Sequence, residues 1–288
     1  MAHRAMDPQH WIELDKDYEY LIRLQARIIE ERGKEALDCV PGYEQGCQEL
    51  LEHVVDYLPK KYPMLFKSIP DGIFNLVTKR NFTDISSKTG KDALLVISHA
   101  MRFPHGSAAL KWRMVLLQCY FMFAWDLDTR TENRKKHDVH EPVPEFNEKL
   151  LKSVERTFHR FTFDQPWERD ALVIVDDGNA MKHGITNLRN DEILDANMWD
   201  GADLRIRLSH QNLRKLPRTN TVVFTIHASY YALSDLRCMP LVPKCLAQSI
   251  QSYSAEERLY MGIAKHEHIS LPYLEKCHKD QIASGMVT

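Results

Sequence analysis

Residues 204–233 read LRIRLSHQNLRKLPRTNTVVFTIHASYYAL, and the fold turns on how this stretch is arranged. Its first part is basic and polar. Leu204, Ile206 and Leu208 alternate with Arg205 and Arg207, and a turn is signalled at Pro217-Arg218-Thr219-Asn220. From Val222 the alternation is stricter. Val222, Phe224, Ile226, Ala228 and Tyr230 share one face; Thr225, His227, Ser229 and Tyr231 share the other. Period-two alternation rich in β-branched and aromatic residues predicts a half-buried strand, and the whole stretch allows a strand–turn–strand. Arg205, Arg207, His210, Arg214, Lys215 and Arg218 concentrate hydrogen-bond donors along it.

Outward from this stretch the chain is mostly helical at both ends. Tyr18, Leu21, Ile22, Gln25 and Ile29 recur at helical spacing, after acidic Asp15 and Asp17 and before Gly33. A second helix is predicted from Tyr43 to Leu58, with Cys47, Leu50, Leu51, Val54 and Leu58 as its apolar stripe and Pro59 as its stop. Both helices are expected to form a packing layer. Ile73 to Val77 suits a short helix and Ala93 to Ser98 a buried strand; over 99–125 helix and strand are not separable by pattern.

An amphipathic helix is predicted over Asn147 to Phe161, then a strand at Ala171 to Val175 ending at the Asp176-Asp177-Gly178 turn, then loop over 187–202. Beyond 233 come a helix over Pro243 to Tyr253, a second opened by the capping box Ser254 to Glu257, and a third from near Ser270. Strands set between helical ends, without regular β-α-β alternation, predict an α+β fold: an antiparallel sheet with helices packed on it.

Composition narrows the function classes. A formal net charge of −2 gives no electrostatic reason to expect nucleic acid or a membrane surface. The apolar window Met114 to Trp125 is too short for a bilayer, which needs ~20 residues. Six cysteines without a CxxC pair argue against a zinc site or a disulfide framework and suit a reducing compartment. With no apolar run at the N-terminus to act as a signal peptide, the cytoplasm is the expected location.

Four blocks, taken in order, carry a family resemblance: Trp11-Ile12-Glu13-Leu14-Asp15 with Tyr18; Tyr57-Leu58-Pro59-Lys60-Lys61-Tyr62-Pro63 with Phe66; His140-Glu141-Pro142-Val143-Pro144 with Glu148-Lys149-Leu150; and SHQNLRKLPRTNTVVFTI from Ser209. The chain resembles the family of the alpha subunit of haem-dependent oxidative N-demethylase, the HRQ family. That resemblance implies one domain over 1–288, built as a PAS-like antiparallel sheet (67–235) with N-terminal helices (1–66) and C-terminal helices (236–288) packed around it. It implies a haem b protein that uses dioxygen to oxidise a small methylated amine, the resulting hemiaminal falling apart to amine and formaldehyde. Electrons would come from NADPH through an FMN-carrying reductase partner. The family also carries a Phe-Pro-x-Gly-Trp-like turn. Phe103-Pro104-His105-Gly106 and Ala124-Trp125-Asp126 each resemble part of it, with an insertion read between them. The chain begins close to the Trp11 block, which leaves room for an upstream portion.

With the resemblance in hand the fourteen histidines can be sorted. His140, held between a charged loop and a Pro-x-Pro segment, is the candidate axial ligand to haem iron; its alternative is a histidine bonded to its own loop. His210, Arg205 and Arg214 are the candidate lining of the haem pocket, because guanidinium forks match propionate carboxylates. His227 faces a pocket or solvent, and His266-Glu267-His268 is expected at the surface. No nucleophile elbow, phosphate-binding glycine loop or GxGxxG is present. One departure stands out: the family pattern has an acidic residue just before the position of His210, and here it is Ser209. Two alternatives therefore stay open, a non-catalytic PAS-like haem or small-molecule sensor and a family member without cofactor.

Overall fold

The computed structural model describes residues 3–14, 18–33, 37, 39, 41–100, 116–117, 120–123, 145, 148–149, 152–153, 156, 160, 162–176 and 193–287. His140, the Phe103–Gly106 and Ala124–Asp126 segments, and most of the predicted 147–161 helix lie outside the described residues. Strands and helices follow one another as β1 (Arg4–Ala5), α1 (Tyr18–Arg32), α2 (Glu44–Lys61), β2 (Phe66–Ile69), β3 (Gly72–Asn75), β4 (Arg80–Phe82), α3 (Gly90–Ala100), β5 (Leu116–Leu117), β6 (Tyr120–Phe123), β7 (Trp167–Val175), β8 (Arg205–Lys215), β9 (Val222–Ala232), α4 (Val242–Ser252), α5 (Ala255–Tyr260) and α6 (Glu267–Ala283).

This is an α+β architecture. One sheet has the order β1-β7-β8-β9-β6-β5, the other β2-β3-β4. The β1–β7, β5–β6 and β6–β9 pairings are antiparallel, with Phe121 opposite Phe224 and Met122 opposite Val223. The described residues fall into two compact units. The first is drawn from Met1–Thr129, Arg156–Arg169 and His210–His227, the second from Arg130–Glu155, Asp170–Ser209 and Ala228–Thr288.

In the first unit the α2 stripe behaves as its spacing predicts. Cys47, Leu50, Leu51, Val54 and Leu58 are all buried, and with Tyr18, Ile22, Leu94 and Ile97 they form one apolar cluster. Pro59 does not stop α2, which continues to Lys61. A proline costs least near a helix end, and the turn closes with the Tyr62 amide donating to the Leu58 carbonyl.

Two local expectations are overturned here. Ala93 to Ser98 is helix, not strand, within α3. Its apolar run is continuous because α3 packs on both α1 and α2, and a helix buried on several sides loses the amphipathic period. Ile73 lies in a strand, not a helix: β3 is the middle strand between β2 and β4. The Pro70-Asp71-Gly72 turn sets it up, with Asp71 at φ 45° and Ile69 paired with Gly72. Asn75 then closes the strand. Its side-chain oxygen accepts from the Val77 and Thr78 amides at 2.9 and 3.0 Å, while its NH2 donates to the Tyr18 hydroxyl at 2.7 Å.

The second unit has its own core, in which Leu204, Ile206, Leu233, Ile250 and Leu274 are buried together. The Ser254–Glu257 capping box is present as the sequence predicts. Part of the expected 187–202 loop is ordered by a second box, where Asp200 caps a short 3-10 turn at Gly201–Asp203. The third C-terminal helix starts at Glu267, ahead of Ser270. His268, on this helix, is exposed as expected, but His266 just before it is not a surface feature. His266 is 1% exposed, and its ring nitrogens lie 3.2 Å from Ser270 Oγ and 3.1 Å from the Ile174 carbonyl. Burial there was masked in the sequence by the charged neighbours Lys265 and Glu267.

Candidate functional site

β8 and β9 form the predicted strand–turn–strand, with the turn at 217–219 closed by the Leu216 amide donating to the Thr221 carbonyl at 2.8 Å. β9 departs from a half-buried strand. Val222 and Val223 are both buried, as is Thr225, because β9 lies inside the sheet between β8 and β6 and is covered on both faces at its start.

The alternation of β8 sorts its polar residues. His210, Asn212 and Arg214 share one face, whereas Arg205, Arg207, Ser209 and Gln211 share the other. Arg205 is exposed and belongs to the second unit; His210 and Arg214 belong to the first. Of the predicted pocket residues, the strand therefore sets His210 and Arg214 on one face and Arg205 on the other.

His210 stands beside a carboxylate. Its Nε2 is 3.5 Å from Glu168 Oε2 on β7, and the other oxygen of Glu168 takes Arg4 Nε at 2.7 Å. Next to this pair, Arg169 Nε donates to Gln211 Oε1 at 2.6 Å.

Arg214 is in different surroundings. Its guanidinium carbon lies 4.5 Å from the centroid of the Trp11 ring, and no carboxylate pairs with it among the described residues. Burial pushes its pKa down, a shift partly opposed by Tyr57. Trp11 is 2% exposed and meets Tyr57 edge-on at 5.4 Å. The Tyr57 hydroxyl donates to the Gln9 carbonyl at 2.6 Å, and the Tyr62 hydroxyl to the Ile12 carbonyl at 2.7 Å. Burial pushes the Tyr62 hydroxyl up to about 12. Asn212 NH2 donates to the Trp11 carbonyl at 3.1 Å, tying β8 to the same segment. His53 on α2 is held below the usual imidazole range, first by burial and then by the charge of Arg214. The Trp11 indole N–H and the Asn212 side-chain oxygen are buried without a hydrogen-bond partner.

Three of the four sequence blocks thus converge in the first unit: the Trp11 segment, the Tyr57–Pro63 segment and β8. The fourth, at His140, lies outside the described residues. Trp11, Tyr57, Asn212 and Glu168 were not among the predicted site residues. The even spacing of His210, Asn212 and Arg214 was the signal that would have separated them from Arg205. Among the described residues no group of three or more His, Cys, Asp or Glu is placed to hold a metal ion, and no helix is long and apolar enough to cross a membrane.

A family model described as haem-dependent oxidative N-demethylase, alpha subunit-like, matches residues 2–271. The chain belongs to this family. Membership in the haem-dependent oxidative N-demethylase alpha subunit-like family implies dependence on haem. Comparison with curated proteins gives no match.

Proposed function

We propose that this chain is a haem b protein of the oxidative N-demethylase type that converts a small methylated amine, with dioxygen, to the demethylated amine and formaldehyde. The observation that carries the reading is Arg214. A half-buried guanidinium stacked on an indole, with no carboxylate partner among the described residues, is stabilised by an anion brought to it. Haem presents such anions in its propionates. Arg214 fits that role, and the buried indole N–H of Trp11 is a further donor close by. His210, shared with Glu168, would contribute as a positioned imidazole; Arg205, exposed and in the second unit, would take no part in that pocket. His140 would hold the haem iron through an imidazole nitrogen. Bound haem would supply the site for dioxygen activation; the residues of this chain would fix its orientation and keep water from the amine.

The proposed frame is a single domain with a PAS-like central region, 67–235, between helical ends. Reducing equivalents would come from NADPH through a flavin reductase partner carrying FMN. The chain itself would work in the cytoplasm, without nucleic acid or membrane.

Ser209 supports a second reading, a haem or small-molecule sensor. It is buried, 4% exposed, where the family pattern has an acidic residue, and an amine cation would lack that counter-charge. One experiment separates the two. Purified protein is loaded with haem, its visible spectrum is recorded with and without carbon monoxide, and formaldehyde is measured from dimethylamine with NADPH and a flavin reductase. A carbon monoxide-sensitive Soret band with formaldehyde supports the enzyme, and the band without formaldehyde supports the sensor. With no band, the enzyme and the haem sensor both fall, and only a sensor of another small molecule or a family member without cofactor is left.

A further inference from the structure

Cys39 and Cys47 lie outside the haem reading, and their sulfurs are 3.5 Å apart. Both are reduced thiols. Cys47 sits in the first turn of α2 and is fully buried, whereas Cys39, in the segment before α2, is half-buried. Backbone geometry holds the two together. Gly42 takes φ 92° between them, and its amide donates to both carboxylate oxygens of Glu44, at 3.2 and 3.0 Å. Gly90, at the start of α3, has φ 51° and no side chain; a Cβ there would stand 3.2 Å from Glu44 Cγ and 3.6 Å from Cys39 Sγ. A turn, a carboxylate and a bare glycine thus confine the Cys39 sulfur beside its neighbour. The sulfurs are in contact at 3.5 Å, against the ~2.05 Å of a disulfide.

We infer that Cys39 and Cys47 are a reversible dithiol–disulfide modification site, closed by hydrogen peroxide. Cys39, the more accessible thiol, reacts first. Its sulfur attacks one peroxide oxygen, the O–O bond breaks, and Cys39 sulfenic acid and one water result. The Cys47 sulfur then attacks the Cys39 sulfur. An S–S bond forms, the S–O bond breaks, and hydroxide leaves with the Cys47 proton as a second water. Two electrons pass from the two sulfurs to one peroxide. Burial, and next the neighbouring Cys39, push the Cys47 thiol pKa far up. Cys47 alone is therefore a poor target for peroxide from solution, which fixes the order of events; the second step is carried by contact, the Cys39 sulfur being held 3.5 Å away. The spacing across the turn is also why the pair escapes a search for CxxC.

The test uses the full chain. Lys34 and Lys60 bound a tryptic peptide, 35–60, that holds both cysteines and no other. After mild peroxide and alkylation without reductant, that peptide is expected to take no alkyl group and to weigh about 2 Da less, and dithiothreitol is expected to reverse the change. Cys47→Ala is expected to leave Cys39 as a sulfenic acid trapped by dimedone, and Cys39→Ser to leave Cys47 alkylatable and unoxidised. The inference is overturned if the wild-type peptide stays fully alkylatable while the exposed Cys238 and Cys245 are oxidised, or if Cys39 passes to the sulfinic acid without losing the Cys47 thiol.

Discussion

Glu49 and Thr219, 170 positions apart in the chain, meet through two hydrogen bonds: the Thr219 amide donates to Glu49 Oε2 at 2.8 Å and its hydroxyl at 2.6 Å. The Arg218 amide adds a third, to Glu49 Oε1 at 2.7 Å. Glu49 is 1% exposed, so a buried carboxylate on α2 holds the turn between β8 and β9. Nearby, a Cβ on Gly46 would lie 2.5 Å from Thr221 Oγ1, which is how closely helix and turn approach. Hydrogen bonds to a charged group contribute ~1.5–3 kcal/mol each and are not additive. Glu49→Ala is expected to lower stability by about 3 kcal/mol, seen as a fall in the urea midpoint with little change in slope.

The same carboxylate predicts a pH dependence. Burial raises its pKa, but the bonds from Thr219 and Arg218 more than offset that and hold it below its ordinary 4.5. A depressed folded value means the contribution is fully present above the unfolded value and is lost as pH falls through the folded one. The stability gap between wild type and Glu49→Gln should therefore be largest above pH 4.5 and shrink in more acid solution. A gap that stays constant with pH would show that the charge contributes nothing.

Sequence pattern revealed the strand–turn–strand, the α2 stripe and the Ser254 box because each is local: a period, a turn signal or a four-residue cap. It missed α3, whose apolar run reflects neighbours on more than one side, and His266, whose burial is set by a β7 carbonyl 92 positions away. At the candidate site it singled out Arg214 and His210 through the family blocks. It did not find Glu168 or Trp11 as their partners, since those contacts join segments far apart in the chain. The convergence on Trp11 through Asn212 has no short-range signature at all.

Arg214 and Arg205 make opposite predictions for haem. Arg214 is stacked on Trp11 without a carboxylate, and a charge-assisted bond to a propionate contributes roughly 1.5–3 kcal/mol. Arg214→Met should weaken haem binding by about 10- to 100-fold in a Soret titration. Arg205, exposed on the opposite face of β8, should cost less than about threefold when replaced by alanine, since an exposed charge pair contributes ~0–1 kcal/mol. Equal losses from both would remove Arg214 from its special place.

His266 predicts a second pH effect, at a different point on the scale. Burial holds its imidazole below the ordinary 6.5, so the ring is neutral in the fold while the unfolded chain takes up a proton. Stability from this group is fully present above pH 6.5 and is lost as pH falls from there through the lower folded value. Wild type should lose stability between about pH 7.5 and pH 5, and His266→Gln, less stable throughout, should lose less over that range. Urea unfolding at the two pH values reads the difference. A parallel decline in both proteins would place the titration elsewhere.

Gly201 offers a steric test within the second unit. A Cβ on it would lie 2.2 Å from Tyr273 Cγ and 2.3 Å from Tyr273 Cβ. These atoms are the root of the side chain on α6, not a mobile tip, so rotation alone cannot clear them. Overpacking at such a contact costs typically ~1–3 kcal/mol, and Gly201→Ala should reach at least the upper part of that range. The cost should depend on Tyr273. In a Tyr273→Gly background, where the Cβ that alanine would keep is also gone, the space is vacated, and Gly201→Ala should then cost no more than about 1 kcal/mol, giving a coupling energy of roughly 2 kcal/mol in the double-mutant cycle. Additive losses would mean that α6 does not press on the Gly201–Asp203 turn through this ring, and the close approach that requires glycine there would have to lie elsewhere.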